Sequence, residues 1–303
     1  MLTSWRHVIR QSVSRIRTAA RTRTCRHVID LSIAQTKFKP CLFPLGWMVL
    51  FGLIKTSPLE DKTWSKEEKK QQANTRKMIR EADCLFEENK YAEAYKLLVS
   101  MKDSDDVEVL WRICRALFSM SKQTDDKELK KKHVFEAFET AQKALELDDN
   151  HYAAHKWYAI LVDVRMSYDG IRARVNHLMI MKKHMLRAIE LNPEDATTLY
   201  MLGFWCFSIA DLPWYQRKIA SAVFSDPPTS TYEEALQYFL RAEEKDPNFY
   251  SQNLLMLGKT YLRMKNLEKA SHYLKLAAAY PLNTEDDAQA NKEATELLKK
   301  IKV

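Results

Sequence analysis

The sequence predicts an all-α protein: an array of about five helix pairs, closed by a capping helix near residues 284–301. Three observations indicate this fold. Glycine is scarce, with 5 residues among 303, and proline amounts to 9. From residue 66 onward the strong helix formers Leu, Ala, Lys and Glu dominate. Five segments of this region also share two small or slim residues that lie seven positions apart, which is two helical turns.

These five segments supply the second helix of each predicted pair. Residues seven positions apart face the same way, so a neighbouring helix can approach closely. Three of the segments end in proline, which stops a helix. The paired positions are Ala94 and Met101, Ala137 and Ala144, Met181 and Ala188, Ala235 and Ala242, and Ala270 and Ala277.

Each segment follows another helical stretch that has a small residue near its middle. Ala82 lies 12 residues before Ala94, and Gly258 lies 12 residues before Ala270. This spacing resembles that of the tetratricopeptide repeat. Gly258 also begins a Gly-Lys-Thr tripeptide, but a phosphate-binding loop needs another glycine five positions earlier and a preceding strand. The sequence therefore assigns Gly258 to helix packing.

The three middle units have a longer gap between their two small residues. The gap is 23 residues from Cys114 to Ala137, 20 from Leu161 to Met181 and 32 from Gly203 to Ala235. We expect the additional residues to form lengthened elbows between the two helices of a pair. Within the last elbow, residues 213–224 should form a short helix that lies against the array. The expected elbows are 122–128, 166–170 and 208–230.

The N-terminal region differs in charge from the rest of the chain. Residues 1–58 hold seven Arg, three Lys and one Asp, a net charge of +9, which leaves −1 of the overall +8 for the remainder. Residues 1–37 are basic, amphipathic and rich in Ser and Thr, which is typical of a mitochondrial targeting segment. A basic tail, disordered or lying on an acidic membrane, is the alternative.

A short apolar stretch and a linker, residues 38–65, separate this segment from the repeat domain, residues 66–303. The apolar residues 41–54 would reach ~21 Å as a helix, less than the ~30 Å of a hydrocarbon core. We expect a weak peripheral membrane contact there. A stretch removed on import and a flap on the folded domain are the alternatives.

Composition and motifs argue against several functional classes. The five cysteines are scattered without a C-x-x-C pair, so they indicate neither a zinc ribbon nor a disulfide framework. His151 and His155 lie four apart but lack a third ligand nearby, so no metal site is predicted. The sequence also lacks a G-x-S-x-G motif and a glycine-rich loop. We therefore expect no enzymatic activity, no cofactor and no nucleic-acid partner.

The residue that follows each small residue should face the concave groove, because one residue turns ~100° around a helix. The same offset on every first helix predicts an aromatic and aliphatic floor with several cations. Such a floor suits an acidic peptide or a phospholipid; the alternative is that some of these aromatic side chains fill the core. The groove candidates are Trp111, Arg115, Phe118, His155, Tyr158, Arg165, Tyr200, Phe204, Phe207 and Lys259.

Several stretches resemble the regulator of microtubule dynamics protein family. They include AHKWYAIL (154–161), YDGIRARVN (168–176) and LPWYQRKIASAVF (212–224). The similarity runs from about residue 75 to 300, and the layout is most similar to the family's short member. The resemblance implies a tetratricopeptide-like fold, association with microtubules and spindle poles, and residence on mitochondria for some members.

Association with microtubules would require a basic face, because their tubulin subunits carry acidic tails. A solvated helix face, balanced by acidic residues elsewhere, is the alternative. The predicted basic face is Arg172, Arg174, Lys182, Lys183, Arg187, Arg217 and Lys218. Two functions are thus open: a scaffold that regulates microtubule dynamics and spindle organisation, located in the cytoplasm and on the cytoskeleton, or a mitochondrial lipid-binding or transfer module that uses the groove.

Overall fold

A computed structural model describes residues 65–169, 171–223 and 227–301, without the side chains of residues 68, 171–176, 219, 220, 222 and 223. The predicted targeting segment and the apolar stretch 41–54 lie outside these residues. The described part is helical and has no strand, which confirms the all-α fold. Its helices are α1 (Lys66–Glu87), α2 (Tyr91–Val99), α3 (Val107–Gln123), α4 (Lys127–Leu147), α5 (Tyr152–Met166), α6 (Ile171–Leu191), α7 (Ala196–Ala210), α8 (Trp214–Val223), α9 (Tyr232–Lys245), α10 (Ser251–Arg263), α11 (Leu267–Ala278) and α12 (Glu285–Lys300).

The helices pack as five successive pairs: α1 with α2, α3 with α4, α5 with α6, α7 with α9, and α10 with α11. Each pair packs on the next, and α12 covers α10 and α11 at the end of the array. The short helix α8 forms in the α7–α9 connection, as predicted. Its Trp214 is 75% exposed, however, so this side chain does not hold α8 against the array.

In four of the pairs, the residue eight positions after the N-cap of the first helix is small. This residue packs against the second helix of the same pair. At Gly258 a Cβ atom would lie 2.6 Å from the Leu274 side chain, which confirms the packing role of this glycine. In α5 the eighth position is Ala159 and not Leu161, so the sequence interpretation of this helix is wrong by two residues. The N-cap and small residue of each helix are Asp106 and Cys114, His151 and Ala159, Asp195 and Gly203, and Tyr250 and Gly258.

The helices α4 and α6 carry two extra turns before the small residue that packs on their partner. In α2, α9 and α11 the helix begins three residues before that position. In α4 it begins ten residues before Ala137, and in α6 ten residues before Met181. The long gaps in these two units are therefore mainly additional helix, not the elbow loops expected. Seven residues lengthen a helix by about 10 Å.

One hydrophobic core runs through the first four units and reaches into α10, from Ala82 to Leu257. The indole of Trp205, which is fully buried, donates a hydrogen bond of 3.1 Å to the carbonyl oxygen of Leu178 and so joins α7 to α6. A second core lies among α10, α11 and α12 and includes Leu274 and Ala290. None of the helices in the described ranges is both long and apolar enough to cross a membrane.

Candidate functional site

Two arginines on α3 pair with an acidic residue of α1, and a tryptophan of α3 lies against both of them. Arg112 donates from Nε to both carboxylate oxygens of Asp83 at 3.0 Å, and Arg115 pairs with the same carboxylate. The Arg112 guanidinium lies 4.1 Å from the ring of Trp111, whose indole donates to Glu108 at 2.9 Å. Arg115, a predicted groove cation, is thus 6% exposed and already ion-paired.

Similar ion pairs, and one hydrogen bond between a histidine and a carboxylate, connect each first helix, or the loop at its end, to the next unit. We call this set the charge ladder. The hydrogen bond from His151, with those from Trp111 and Arg112, lowers the pKa of Glu108 to about 2, against the opposing effect of burial. The ladder consists of Asp83 with Arg112, Glu108 with His151 at 3.1 Å, Lys156 with Asp195 at 2.9 Å, Asp211 with Arg263 at 2.6 Å, and Lys259 with Glu293 at 2.6 Å.

Two predicted groove aromatics lie in the core instead. Phe118 is fully buried, with its ring edge-on to Trp157 at a centroid distance of 5.9 Å. Tyr200 is 1% exposed and contacts Tyr250 edge-on at 4.9 Å. The alternative interpretation, in which these rings fill space between units, therefore holds for both residues.

The groove prediction for α5 is wrong in register. Because Ala159 is the packing position and Leu161 was used, the predicted side chains point about 200° away from the intended direction. They contact the second helices α4 and α6: Tyr158 stacks on Phe138 at 5.6 Å. When the same offset is applied to Ala159, it selects Lys156 as a groove residue. The sequence interpretation missed Lys156; counting eight residues from the N-cap to the packing position would have found it. The displaced residues are His155, Tyr158 and Arg165.

Three predicted groove residues do come together around a cavity of about 330 Å³ among α7, α8 and α10. Phe204 and Phe207 line it, although each is only 6% exposed. Met256 and Lys259 close the α10 side. The cavity is thus apolar on one wall and has a cation at its edge, but that cation is the ladder residue that pairs with Glu293.

A second cavity, of about 560 Å³, lies on the outer side of α6. The Nδ1 atoms of His155 and His184 are 2.8 Å apart at its wall, and His155 Nε2 lies 2.9 Å from the carbonyl oxygen of Asp149. Burial, followed by the nearby His155, lowers the pKa of His184 to about 4. His155 and His151 face different partners, and the described residues include no group of three side chains that could hold a metal ion.

The predicted basic face is only partly exposed. Lys183 on α6 and Lys218 on α8 are exposed. Lys182, in contrast, pairs with Glu234 at 3.0 Å and lies 4.6 Å over the ring of Trp205. Arg187 donates to Asn150 and Glu190, and Arg217 donates to the carbonyl oxygens of residues 210 and 212. The side chains of Arg172 and Arg174 lie outside the described residues.

Comparison with solved structures supports the fold. A tetratricopeptide-repeat protein of Thermus thermophilus superposes with a TM-score of 0.52 over 73% of this chain and 98% of its own, at 14% sequence identity. At this level of identity the likeness concerns the fold alone.

Comparison with known sequences identifies the family. The family model for regulator of microtubule dynamics protein 1-3 matches residues 78–302. Regulator of microtubule dynamics protein 1 of Mus musculus is 46% identical over 75% of this chain and 74% of its own length, and that of Bos taurus is 48% identical over 73% and 70%. Protein 3 of Xenopus laevis is 38% identical over 68% of this chain and 45% of its own length. The resemblance noted in the sequence is thereby confirmed, and the chain belongs to the regulator of microtubule dynamics protein 1-3 family.

Proposed function

We propose that this protein is a non-enzymatic scaffold that associates with microtubules, regulates their dynamics and contributes to spindle organisation. The observation that carries the proposal is the family match over residues 78–302, because the relatives are named regulators of microtubule dynamics. An array of helix pairs supports a binding role, since stacked repeats present extended surfaces to a partner.

We propose that electrostatic attraction to the tubulin tails holds the protein on the microtubule. Tubulin tails are acidic, whereas residues 59–303 of this protein carry a net charge of −1, so any attraction must come from a local basic surface. Lys183 and Lys218 are exposed members of the predicted face.

Co-sedimentation of the full chain with polymerised tubulin tests this contact. The double variant Lys183→Glu with Lys218→Glu should bind more weakly than the wild type, and rising salt should weaken both, because the Debye length falls from ~10 Å at 0.1 M to ~3 Å at 1 M. The matched control is Lys69→Glu with Lys70→Glu on α1, which changes the net charge equally. Equal losses in both double variants would show that only overall charge matters, and binding that resists salt would refute electrostatic attraction.

For localisation we propose that residues 1–37 direct the protein to mitochondria, and that residues 41–54 add a peripheral membrane contact. A reporter fused to residues 1–58 should reach mitochondria, because import selects basic amphipathic helices. Replacement of Arg6, Arg10, Arg15 and Arg17 by Glu should abolish this delivery. Unchanged delivery of that variant would contradict the proposal.

A second candidate function is the binding of a lipid or an acidic peptide in the cavity among α7, α8 and α10. Its volume of about 330 Å³ lies at the lower end of known ligand sites. The partly exposed Ser208 lines this cavity, so Ser208→Trp should fill it without removing a core ring. Organic extraction of purified protein followed by mass spectrometry should recover a lipid from the wild type and lose it from this variant. Recovery of the same lipid from both proteins would place it elsewhere.

A further inference from the structure

The two extra turns of α4 present a lysine-rich surface that the proposed function does not use. Residues 127–132 contain four lysines, and Lys127, Lys131 and Lys132 are exposed. These turns precede Ala137, where the helix packs on its partner, and three of the four lysines extend from them into solvent. The repeat fold therefore does not require them.

This arrangement of charges does not favour the helix itself. Lys127 and Lys131 are like charges at i and i+4, which destabilise an isolated helix by roughly 0.2–0.5 kcal/mol. None of the four lysines forms an ion pair with a described residue, and Glu128, four positions before Lys132, does not pair with it. Elsewhere in the array Lys102 and Lys156 are both paired with acidic side chains. Lys127, Lys131 and Lys132 thus form a local basic surface that is open to an anionic partner.

An aromatic pair lies beside these cations. The ring of Phe135 has the Arg165 guanidinium 4.0 Å above its centroid and the Lys131 ammonium at 5.5 Å. Tyr168, which is 41% exposed, meets Phe135 edge-on at 5.7 Å. Arg165 also pairs with Asp169 at 2.7 Å, which fixes its guanidinium above the ring. Cations are thus held around a partly exposed ring.

We propose that this patch, made of Lys127, Lys131, Lys132, Phe135, Arg165 and Tyr168, is a docking surface for an extended acidic peptide. Carboxylates of the peptide would pair with the lysines, while its backbone and methylene groups would lie on the rings of Phe135 and Tyr168, which the Arg165–Asp169 pair holds in place. The choice of an acidic tubulin tail as the natural source of that peptide rests on the proposed function. The docking chemistry itself does not.

A peptide fits the surface better than an anionic membrane does. A shallow cavity of about 340 Å³ runs along α4, with Lys131 and Lys132 on its walls together with three glutamates. Glu136 is neutralised by Lys102 at 3.0 Å and accepts a hydrogen bond from the hydroxyl of Tyr95. Glu128 and Glu139 are exposed and would repel a uniformly anionic bilayer. A narrow peptide can lie along Lys127 and Lys131, which are ~60° or more around the helix from Glu128 and Glu139, whereas Lys132 lies on the far side of these glutamates.

Fluorescence anisotropy of a labelled octa-glutamate peptide, titrated with full-length protein, tests the proposal. Lys131→Glu with Lys132→Glu should weaken binding about tenfold, because two favourable surface pairs become repulsive. Lys69→Glu with Lys70→Glu, the control of equal charge, should change it less than about twofold. Phe135→Leu keeps an apolar side chain but removes the ring and should also weaken binding. Circular dichroism should show that all three variants are folded.

Equal weakening by the control, or unchanged binding of the Lys131 and Lys132 variant, would overturn the proposal. The proposal would also be overturned if the patch variant failed to bind phosphatidylserine vesicles but bound the peptide normally, since the surface would then be a membrane contact. Co-sedimentation with microtubules stripped of their acidic tails separates this inference from the proposed function. Peptide binding without any microtubule binding supports the patch and refutes the proposed function. Microtubule binding that neither the patch variant nor tail removal affects would refute the tubulin tail as the source of the peptide, and the octa-glutamate titration decides the patch itself.

Discussion

Gly203 lies so close to Phe239 that a Cβ atom at position 203 would be 2.7 Å from two carbons of the ring. Alanine normally favours a helix over glycine by about 1 kcal/mol. Here the fully buried ring would have to move, and overpacking of this kind costs about 1–3 kcal/mol. We expect Gly203→Ala to lower the free energy of unfolding measured in denaturant, and Phe239→Leu added to it to recover part of that loss. A Gly203→Ala protein more stable than the wild type would contradict the packing.

The ion pair of Lys156 with Asp195 should be important for stability because it is largely buried. The two side chains are 9% and 14% exposed, and the pair joins α5 to the N-cap of α7. Removing one partner of a buried pair leaves an uncompensated charge and costs about 3–5 kcal/mol. Chemical unfolding should therefore show a large loss for Asp195→Asn. Lys156→Met combined with Asp195→Asn should lose less than the two single variants add up to, and additive losses would argue against a direct pair.

Stability should fall as the pH decreases from about 6.5 to 4, because of His184. Its pKa is 6.5 in the unfolded chain and about 4 in the folded protein, so the unfolded chain binds the proton first. Above pH 6.5 both states are neutral and the full stability is present; below 4 both are protonated. His155, Tyr158, Lys183 and Asp149 are the groups that face this ring or act on it.

The slope of unfolding free energy against pH measures this effect. His184→Gln should flatten it between pH 6.5 and 4. His272→Gln, at an exposed site on α11, should leave it unchanged. A wild-type slope in the His184 variant would mean that other groups cause the acid sensitivity.

Phe204→Ala should destabilise the protein, although Phe204 was predicted as a groove residue. The ring is 6% exposed and belongs to the main core, and truncation of such a phenylalanine costs about 3–5 kcal/mol. Tyr215→Ala removes a half-exposed ring on α8 and should cost much less. Thermal and denaturant melts check both variants; an unchanged melt for Phe204→Ala would mean that its ring belongs to the cavity rather than to the core.

The sequence predicts the packing of helix pairs well because the information is local. A residue such as Gly258 must be small where another helix crosses, and this constraint is visible without a structure. The direction of the remaining side chains follows from the same register, so choosing Leu161 over Ala159 misplaced every predicted groove residue of α5. An error of two residues turns a side chain by ~200° around the helix, although it shifts the sequence pattern by only two positions.

Contacts between units could not be predicted in the same way. Whether Arg115 is an unpaired cation in the groove depends on Asp83, which lies 32 residues away in the sequence. The periodicity of the sequence does not predict a contact between two such residues. Likewise a gap of 23 residues after Cys114 is compatible with a loop or with more helix. The structure shows that it is mainly helix, and the lysines of α4 thereby become a surface.

The separate core among α10, α11 and α12 affects the order in which the array opens. Units in such an array are stabilised by their neighbours, so an end with its own apolar cluster can detach while the rest stays folded. Backbone amides of α11 and α12 should then exchange deuterium before those of α7 and α9. Under mechanical tension the protein would lengthen in steps that begin at its C-terminus, rather than unravelling in a single event.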